Sequence, residues 1–150
     1  MNTRNRHRRT RQRGFTLLEI LLVVGLLALL ASIAIPALTA QAEKAKVKMV
    51  EAVIGPNGTL SQAIKQFRFD IGHYPEELMD LIEKPGDAEM EDKWTTPYLE
   101  DESGLKDPWD HDFEYTAPGT HNENSFDLWS LGPDNTDGTE DDITNWKDDR

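Results

Sequence analysis

Residues 15–35 read FTLLEILLVVGLLALLASIAI, and this stretch decides how the chain is organised. Glu19 is its one charged residue, and no further charge follows before Glu43. As an α-helix, its 21 residues span about 32 Å at ~1.5 Å per residue, which matches a bilayer core of about 30 Å. The stretch therefore predicts a membrane-spanning helix.

The flank that precedes this helix is strongly basic. Residues 1–14 hold six arginines and no acid. Basic flanks stay on the cytoplasmic side, so we expect the residues after the helix to lie across the membrane. A cleaved secretory signal, with Ser32-Ile33-Ala34 as its small-x-small site, is the alternative. The length of the apolar run and the acid at Glu19 argue against such a signal.

The remainder of the chain is acidic. Residues 15–150 hold 10 bases against 28 acids, a net charge of −18. Such a surface repels phosphate backbones, so nucleic acid is not an expected partner, and only the basic flank would attract phosphates or anionic headgroups. The chain has no cysteine, which excludes disulfides, thiolate zinc sites and a cysteine nucleophile.

The helical pattern continues beyond the apolar run. Pro36 is expected to kink the helix because it lacks a backbone N–H. Residues 42–54 then carry apolar side chains at i, i+3 and i+7, which predicts an amphipathic helix. Gly55-Pro56-Asn57-Gly58 should break it. A capping box from Thr59 to Gln62 should start the next helix, whose apolar stripe runs to Ile71.

The second half of the chain predicts a small sheet. A short helix is expected at Glu76–Ile82, and the polar segment Lys84–Lys106 should be exposed. Alternation of apolar residues predicts strands at Asp112–Thr116 and Phe126–Leu131, joined by a loop over residues 117–124. The tail after residue 131 is rich in turn-forming and acidic residues.

No catalytic constellation is evident. The four histidines show no zinc-site spacing, and there is no nucleophile elbow or glycine-rich phosphate loop. Tryptophan rings can line a sugar-binding site, but packing in the core or on the sheet is favoured for the four tryptophans of this chain. We expect the protein not to be an enzyme.

The loop DNTDGTEDD at residues 134–142 offers many oxygen atoms. Calcium takes six to eight oxygen ligands. The loop is not an EF-hand, because its sixth position is Thr139 and its twelfth is Asn145. Composition alone predicts a solvated acidic loop as readily as a calcium site.

The segment RGFTLLE at residues 13–19 resembles the processing site of type IV pilin-like precursors. In that superfamily a basic leader ends in Gly, Phe or Met follows, and Glu lies four positions beyond. The resemblance implies that a prepilin peptidase cuts after Gly14 and methylates the new amino terminus at Phe15. It also implies that Glu19 serves assembly, paired with the Phe15 amino group of a neighbouring subunit.

Four further segments resemble the major pseudopilins of the type II secretion system. Their patterns are G-x-Y-P, D-P-W, F-D-x-x-S-L-G-x-D and D-I-x-N-W, found here at residues 72–75, 107–109, 126–134 and 142–146. Asp110 stands where that family usually has Gly. The break at residues 55–58 and the segment 84–106 also depart from the family pattern.

The resemblance implies an α+β fold. A long amino-terminal helix, whose first half spans the membrane, would pack on a small antiparallel sheet closed by a carboxy-terminal calcium loop. The domains would be a cleaved cytoplasmic leader at 1–14, a membrane and assembly helix at 15–36, and a periplasmic globular domain at 37–150. The implied calcium ligands are the Leu131 carbonyl, Asp134, Asp141 and Asp142, with a carbonyl near Thr139 as a weaker candidate.

The implied function is structural. Copies of the chain would assemble helically from the bacterial inner membrane into a periplasmic filament that drives secretion through an outer-membrane secretin. Its partners would be other copies, the prepilin peptidase, minor pseudopilins, the inner-membrane assembly platform and the secretin. The alternatives are a type IV pilin, or a membrane-tethered domain with calcium-dependent binding or hydrolytic activity.

Overall fold

The computed structural model describes residues 14–86 and 93–147. The chain divides into two compact units, Met1–Gln41 and Ala42–Arg150. The predicted leader, apart from Gly14, lies outside the described residues.

A single long helix, α1, extends over Leu17–Ile54 and remains helical through Pro36. In the first unit its side chains are exposed, including Leu22 at 69% and Ile33 at 75%. This helix is long and apolar enough to cross a membrane. The prediction of an amino-terminal helix of membrane-spanning length and composition is therefore confirmed.

In the second unit, the predicted break separates α1 from α2, which covers Thr59–Ile71. The expected capping box at Thr59 is wrong, because the residue at the N-cap is Gly58 and no side chain caps the helix. A side chain at Gly58 would lie 2.1 Å from the Val53 carbonyl oxygen, so only glycine fits this close approach. Ser61 Oγ donates to the Ile54 carbonyl at 2.6 Å, which satisfies a buried group at the end of α1.

The core of the second unit lies between the helices and the sheet. Val50 and Ile54 of α1 and Leu60, Ile64 and Phe67 of α2 are fully or almost fully buried. The apolar positions predicted from helical periodicity therefore form the core.

In the segment Lys84–Lys106, residues 87–92 lie outside the described residues. Most of the remaining side chains are exposed as predicted, but Trp94 and Tyr98 are half-buried. Trp94 is half-buried against the core, and its Nε1 donates to the Asp80 carbonyl at 3.0 Å. Tyr98 packs its ring 5.4 Å from the ring of Phe67. The apolar residues here are spaced too irregularly to reveal this packing. The helix predicted just before this segment is a 3₁₀ turn at Leu78–Leu81.

The sheet has three antiparallel strands in the order β1-β2-β3. They are β1 at Glu114–Thr116, β2 at Asp127–Ser130 and β3 at Ile143–Thr144. Tyr115 pairs with Leu128, and Ser130 pairs with Ile143. The predicted α+β fold is confirmed, with β3 as an added strand in the predicted turn-rich tail.

Candidate functional site

The amino-terminal end of α1 carries the predicted processing and assembly residues. Gly14 and Phe15 precede the helix and are exposed. A side chain placed at Gly14 would meet nothing within 4 Å. Packing against the described residues therefore gives no reason for glycine at this position.

Glu19 lies in the first turn of α1. Its backbone N–H donates a capping hydrogen bond to Thr16 Oγ1 at 3.2 Å. Within the described residues its carboxylate has no ion pair. An acid in the first turn is favoured by the helix dipole. Residues 14–86 and 93–147 therefore supply no cationic partner for this carboxylate.

The carboxy-terminal loop folds back on itself through its aspartates. Asp134 Oδ1 accepts from the N–H of Thr136 at 2.8 Å. Asp141 Oδ1 accepts from the Thr139 hydroxyl at 2.6 Å, and this bond is the main reason that the pKa of Asp141 is lowered. Asp142 Oδ2 accepts from the N–H of Gly138 at 2.8 Å. The loop thus uses backbone amides and hydroxyls to hold its negative charge.

One buried carboxylate oxygen of the loop has no such partner within the described residues. Asp142 Oδ1 is buried and accepts no hydrogen bond within the described residues. A buried carboxylate oxygen without a partner is costly. Its chemistry fits a divalent cation, for which carboxylates are preferred ligands.

The predicted ligands are only partly brought together. Asp134 and Asp141 approach each other, with the Asp134 N–H 3.4 Å from Asp141 Oδ2. Gly132, at a φ of 65°, permits this approach because a side chain there would lie 2.5 Å from the Asp141 carbonyl oxygen. Leu131 begins the 3₁₀ turn Gly132–Asp134. Among residues 14–86 and 93–147, however, no three acidic or histidine side chains form a metal-binding group.

Asp107 connects the sheet to the D-P-W turn, a role that was not evident from the sequence. Its buried carboxylate accepts from the N–H of Trp109 at 2.9 Å and from the N–H of His111 at 3.0 Å. Its other oxygen accepts from Ser130 Oγ at 2.6 Å. Ser130 Oγ in turn accepts from the Gly132 N–H at 3.1 Å, at the start of the acidic loop.

The same turn reaches α1 through Trp109. Its Nε1 donates to Glu43 Oε2 at 2.8 Å, across 66 positions of sequence. Lys46 lies 3.3 Å from Glu43 and 5.4 Å from the centre of the Trp109 ring. The Trp109 bond is the largest of the effects that lower the pKa of Glu43. Turn, sheet and helix are therefore joined by one polar network.

An open cleft of about 740 Å³ lies between the acidic loop and the β1–β2 connection. Asp127 organises that connection by accepting hydrogen bonds from the backbone of Thr120, His121 and Asn122. Burial raises the pKa of Asp127, but these bonds outweigh it and lower the pKa to about 2. The His121 ring stacks on Trp146 at 4.2 Å and forms one wall of the cleft.

Two family models match the chain. One is described as type II secretion system (T2SS), protein G, and matches residues 37–146. The other is the prokaryotic N-terminal methylation motif, which matches residues 9–35.

Curated proteins and a solved structure are similar over most of the chain. The type II secretion system core protein G of Escherichia coli K12 is 39% identical, covering 91% of this chain and 92% of its own length. The protein of that name from Pseudomonas aeruginosa is 34% identical, with coverages of 92% and 97%. The crystal structure of the major pseudopilin from the type 2 secretion system of enterohaemorrhagic E. coli matches with a TM-score of 0.59 and 28% identity. That match covers 73% of this chain and 93% of the other.

Proposed function

Since this chain belongs to the type II secretion system protein G family, we propose that its copies form a periplasmic filament that pushes proteins through an outer-membrane secretin. The chain is a structural subunit of the pseudopilus and not an enzyme. It assembles with other components of that secretion system. Its direct partners in this proposal are minor pseudopilins and the inner-membrane assembly platform.

The apolar half of α1 anchors the subunit in the inner membrane, with the globular unit in the periplasm. The support is the 21-residue run, the basic flank that precedes it and the exposure of its side chains. A prepilin peptidase cuts between Gly14 and Phe15 and methylates Phe15. The exposure of Gly14, which has no described atom within 4 Å of a side chain placed there, supports this step because a protease must reach that peptide bond.

Glu19 determines where each new subunit is placed relative to its neighbour in the filament. A carboxylate inside a membrane costs about 2.5–3.5 kcal/mol near a helix centre and less near the helix end, where Glu19 lies. The cleaved amino terminus of Phe15 on a neighbouring copy supplies the compensating positive charge. This pairing aligns two apolar helices and leaves no unpaired charge in the lipid.

Calcium binds the carboxy-terminal loop and holds it in one conformation. The residues that would hold it are Asp134, Asp141 and Asp142, together with the Leu131 carbonyl. Bound calcium would supply the positive charge that these aspartates lack. The support for this assignment is Asp142 Oδ1, which is buried and has no hydrogen-bond partner among residues 14–86 and 93–147.

The observation that carries the filament proposal is the carboxylate of Glu19, which lies at the end of an exposed apolar helix and has no ion pair within the described residues. The test expresses the full chain with the other components of a type II secretion system. Wild-type protein should begin at N-methylated Phe15 by mass spectrometry and should form filaments. Glu19→Ala should be inserted and cut normally but should form none.

The matched control is Glu51→Ala, which removes an exposed acid from the globular end of α1. It should assemble as wild type does. Normal filaments from Glu19→Ala would overturn the pairing, and an amino terminus at Met1 or Ile35 would overturn the processing step. A soluble domain starting near Thr39 that forms the same filaments unaided would contradict the role of the apolar helix.

A further inference from the structure

Charge is segregated within the second unit. Residues 42–71, which contain the end of α1 and all of α2, hold five bases and three acids. Residues 72–150 hold five bases and 24 acids. Each copy therefore presents a weakly basic helical surface and a strongly acidic body, which attract each other between copies.

Three of the five bases in the helical part are already engaged. Lys46 pairs with Glu43, Lys65 donates to the Pro56 carbonyl at 2.6 Å, and Arg68 donates to Tyr74. Lys44 and Lys48 are exposed and make no hydrogen bond or ion pair with the described part of the chain. Because they are four residues apart on α1, they lie on one face of the helix. We refer to Lys44 and Lys48 as the basic strip.

The open cleft between the acidic loop and the β1–β2 connection, called the acidic cleft from here on, is chemically complementary to the basic strip. Asp137, Glu140 and Asp142 line it on the loop side, and Trp129 and Trp146 add aromatic surface. Glu140 is exposed and has no hydrogen bond or ion pair within residues 14–86 and 93–147. A lysine side chain suits such a lining, because its methylene stem packs on aromatic rings while its ammonium group meets carboxylates.

We infer that the basic strip of one copy docks at the acidic cleft of a second copy in the pseudopilus. The inference rests on the filament function, which brings copies of this chain together. The strip and the cleft are different surfaces of one chain, so the contact is heterologous. Heterologous contacts that do not close into a ring generate open helical filaments, which is the assembly that a filament subunit requires.

Disulfide trapping tests this contact in the assembled protein. The chain has no cysteine, so any disulfide reports the introduced pair. Full-length Lys48→Cys and Glu140→Cys are co-expressed with the secretion components, and filaments are oxidised mildly. A covalent dimer should form in the mixture, and neither variant alone should give one.

The matched control replaces Glu140→Cys by Glu100→Cys, an exposed acid that does not line the cleft. This mixture should give at least tenfold less dimer. Filaments that assemble without a 48–140 dimer would overturn the docking contact and leave the filament function intact. Failure of the wild-type chain to form any filament would instead overturn the filament function.

Exchanging the two charges is a second test of the docking contact, for the case that the cysteine variants assemble poorly. Lys48→Glu and Glu140→Lys should each reduce filament yield several-fold, and the double variant should restore it. Since the contact is electrostatic, the yield should also fall as ionic strength rises. A double variant that assembles no better than its two parents would refute the docking contact.

Discussion

Removing calcium should destabilise the globular unit, and the size of the effect follows from the calcium concentration relative to its Kd. Asp142 Oδ1 is buried and has no hydrogen-bond partner in the part of the chain that the structure describes, and an unsatisfied buried group costs about 1–3 kcal/mol. A cation that binds only the folded state adds RT ln(1 + [L]/Kd), which is about 2.7 kcal/mol at 100 times Kd. In a unit of about 110 residues, each kcal/mol shifts the melting temperature by about 4 °C. Calcium at that concentration should therefore raise the melting temperature by about 10 °C over chelator.

The assay is calorimetry of residues 39–150 in calcium and in chelator. Asp134→Ala, Asp141→Ala and Asp142→Ala should each abolish the shift between the two conditions. Asp137→Ala is the matched control, because Asp137 accepts a bond from Trp129 Nε1 at 3.3 Å and is not a proposed ligand. It should keep the shift.

Two results would refute this reasoning. One is a wild-type melting temperature that does not respond to chelator. The other is an equal loss of the shift in Asp137→Ala and in the three ligand variants. Either result would make residues 134–142 a solvated acidic turn.

Asp107→Ala should lower the free energy of unfolding by about 3 kcal/mol, because it leaves Ser130 Oγ and two backbone N–H groups without an acceptor. Urea unfolding measures this, and Glu100→Ala, at an exposed position, should change little. Asp127 makes stability depend on pH: its pKa falls from 3.8 when unfolded to about 2 when folded, so its contribution is complete above pH 3.8 and is lost as the pH falls towards 2. That contribution is about 2 kcal/mol. In Asp127→Asn the free energy of unfolding should therefore depend less steeply on pH between about 2 and 3.8. An unchanged slope would contradict the assignment of this pH dependence to Asp127.

The elements that the sequence predicted are those in which a local pattern determines the structure. The apolar run and the stripe at residues 42–54 predicted α1, because one helical face must be buried or lie in lipid. Alternation of apolar residues located β1 and β2. The predicted N-cap of α2 was wrong. Gly58 takes this position instead of Thr59 because the backbone here approaches the Val53 carbonyl oxygen closely, and capping propensities carry no information about such a contact.

The elements that were missed depend on distant contacts. Strand β3 has two residues and exists because Ile143 pairs with Ser130. Trp94 is half-buried because the Asp80 carbonyl lies within reach of its indole. For the site, the acidic loop and Glu19 were evident from composition and spacing, whereas the buried role of Asp107 required the fold.

The Asp107 network gives the acidic loop a physical connection to α1. Gly132, at the start of the loop, bonds to Ser130 Oγ, and Ser130 bonds to Asp107. Asp107 fixes the turn that carries Trp109, whose indole bonds to Glu43 of α1. Each step is a hydrogen bond of 3.1 Å or less, and the first two are buried. Because Glu43 is adjacent to Lys44 of the basic strip, order in the loop also favours a defined position for the residues that we infer to meet the next subunit.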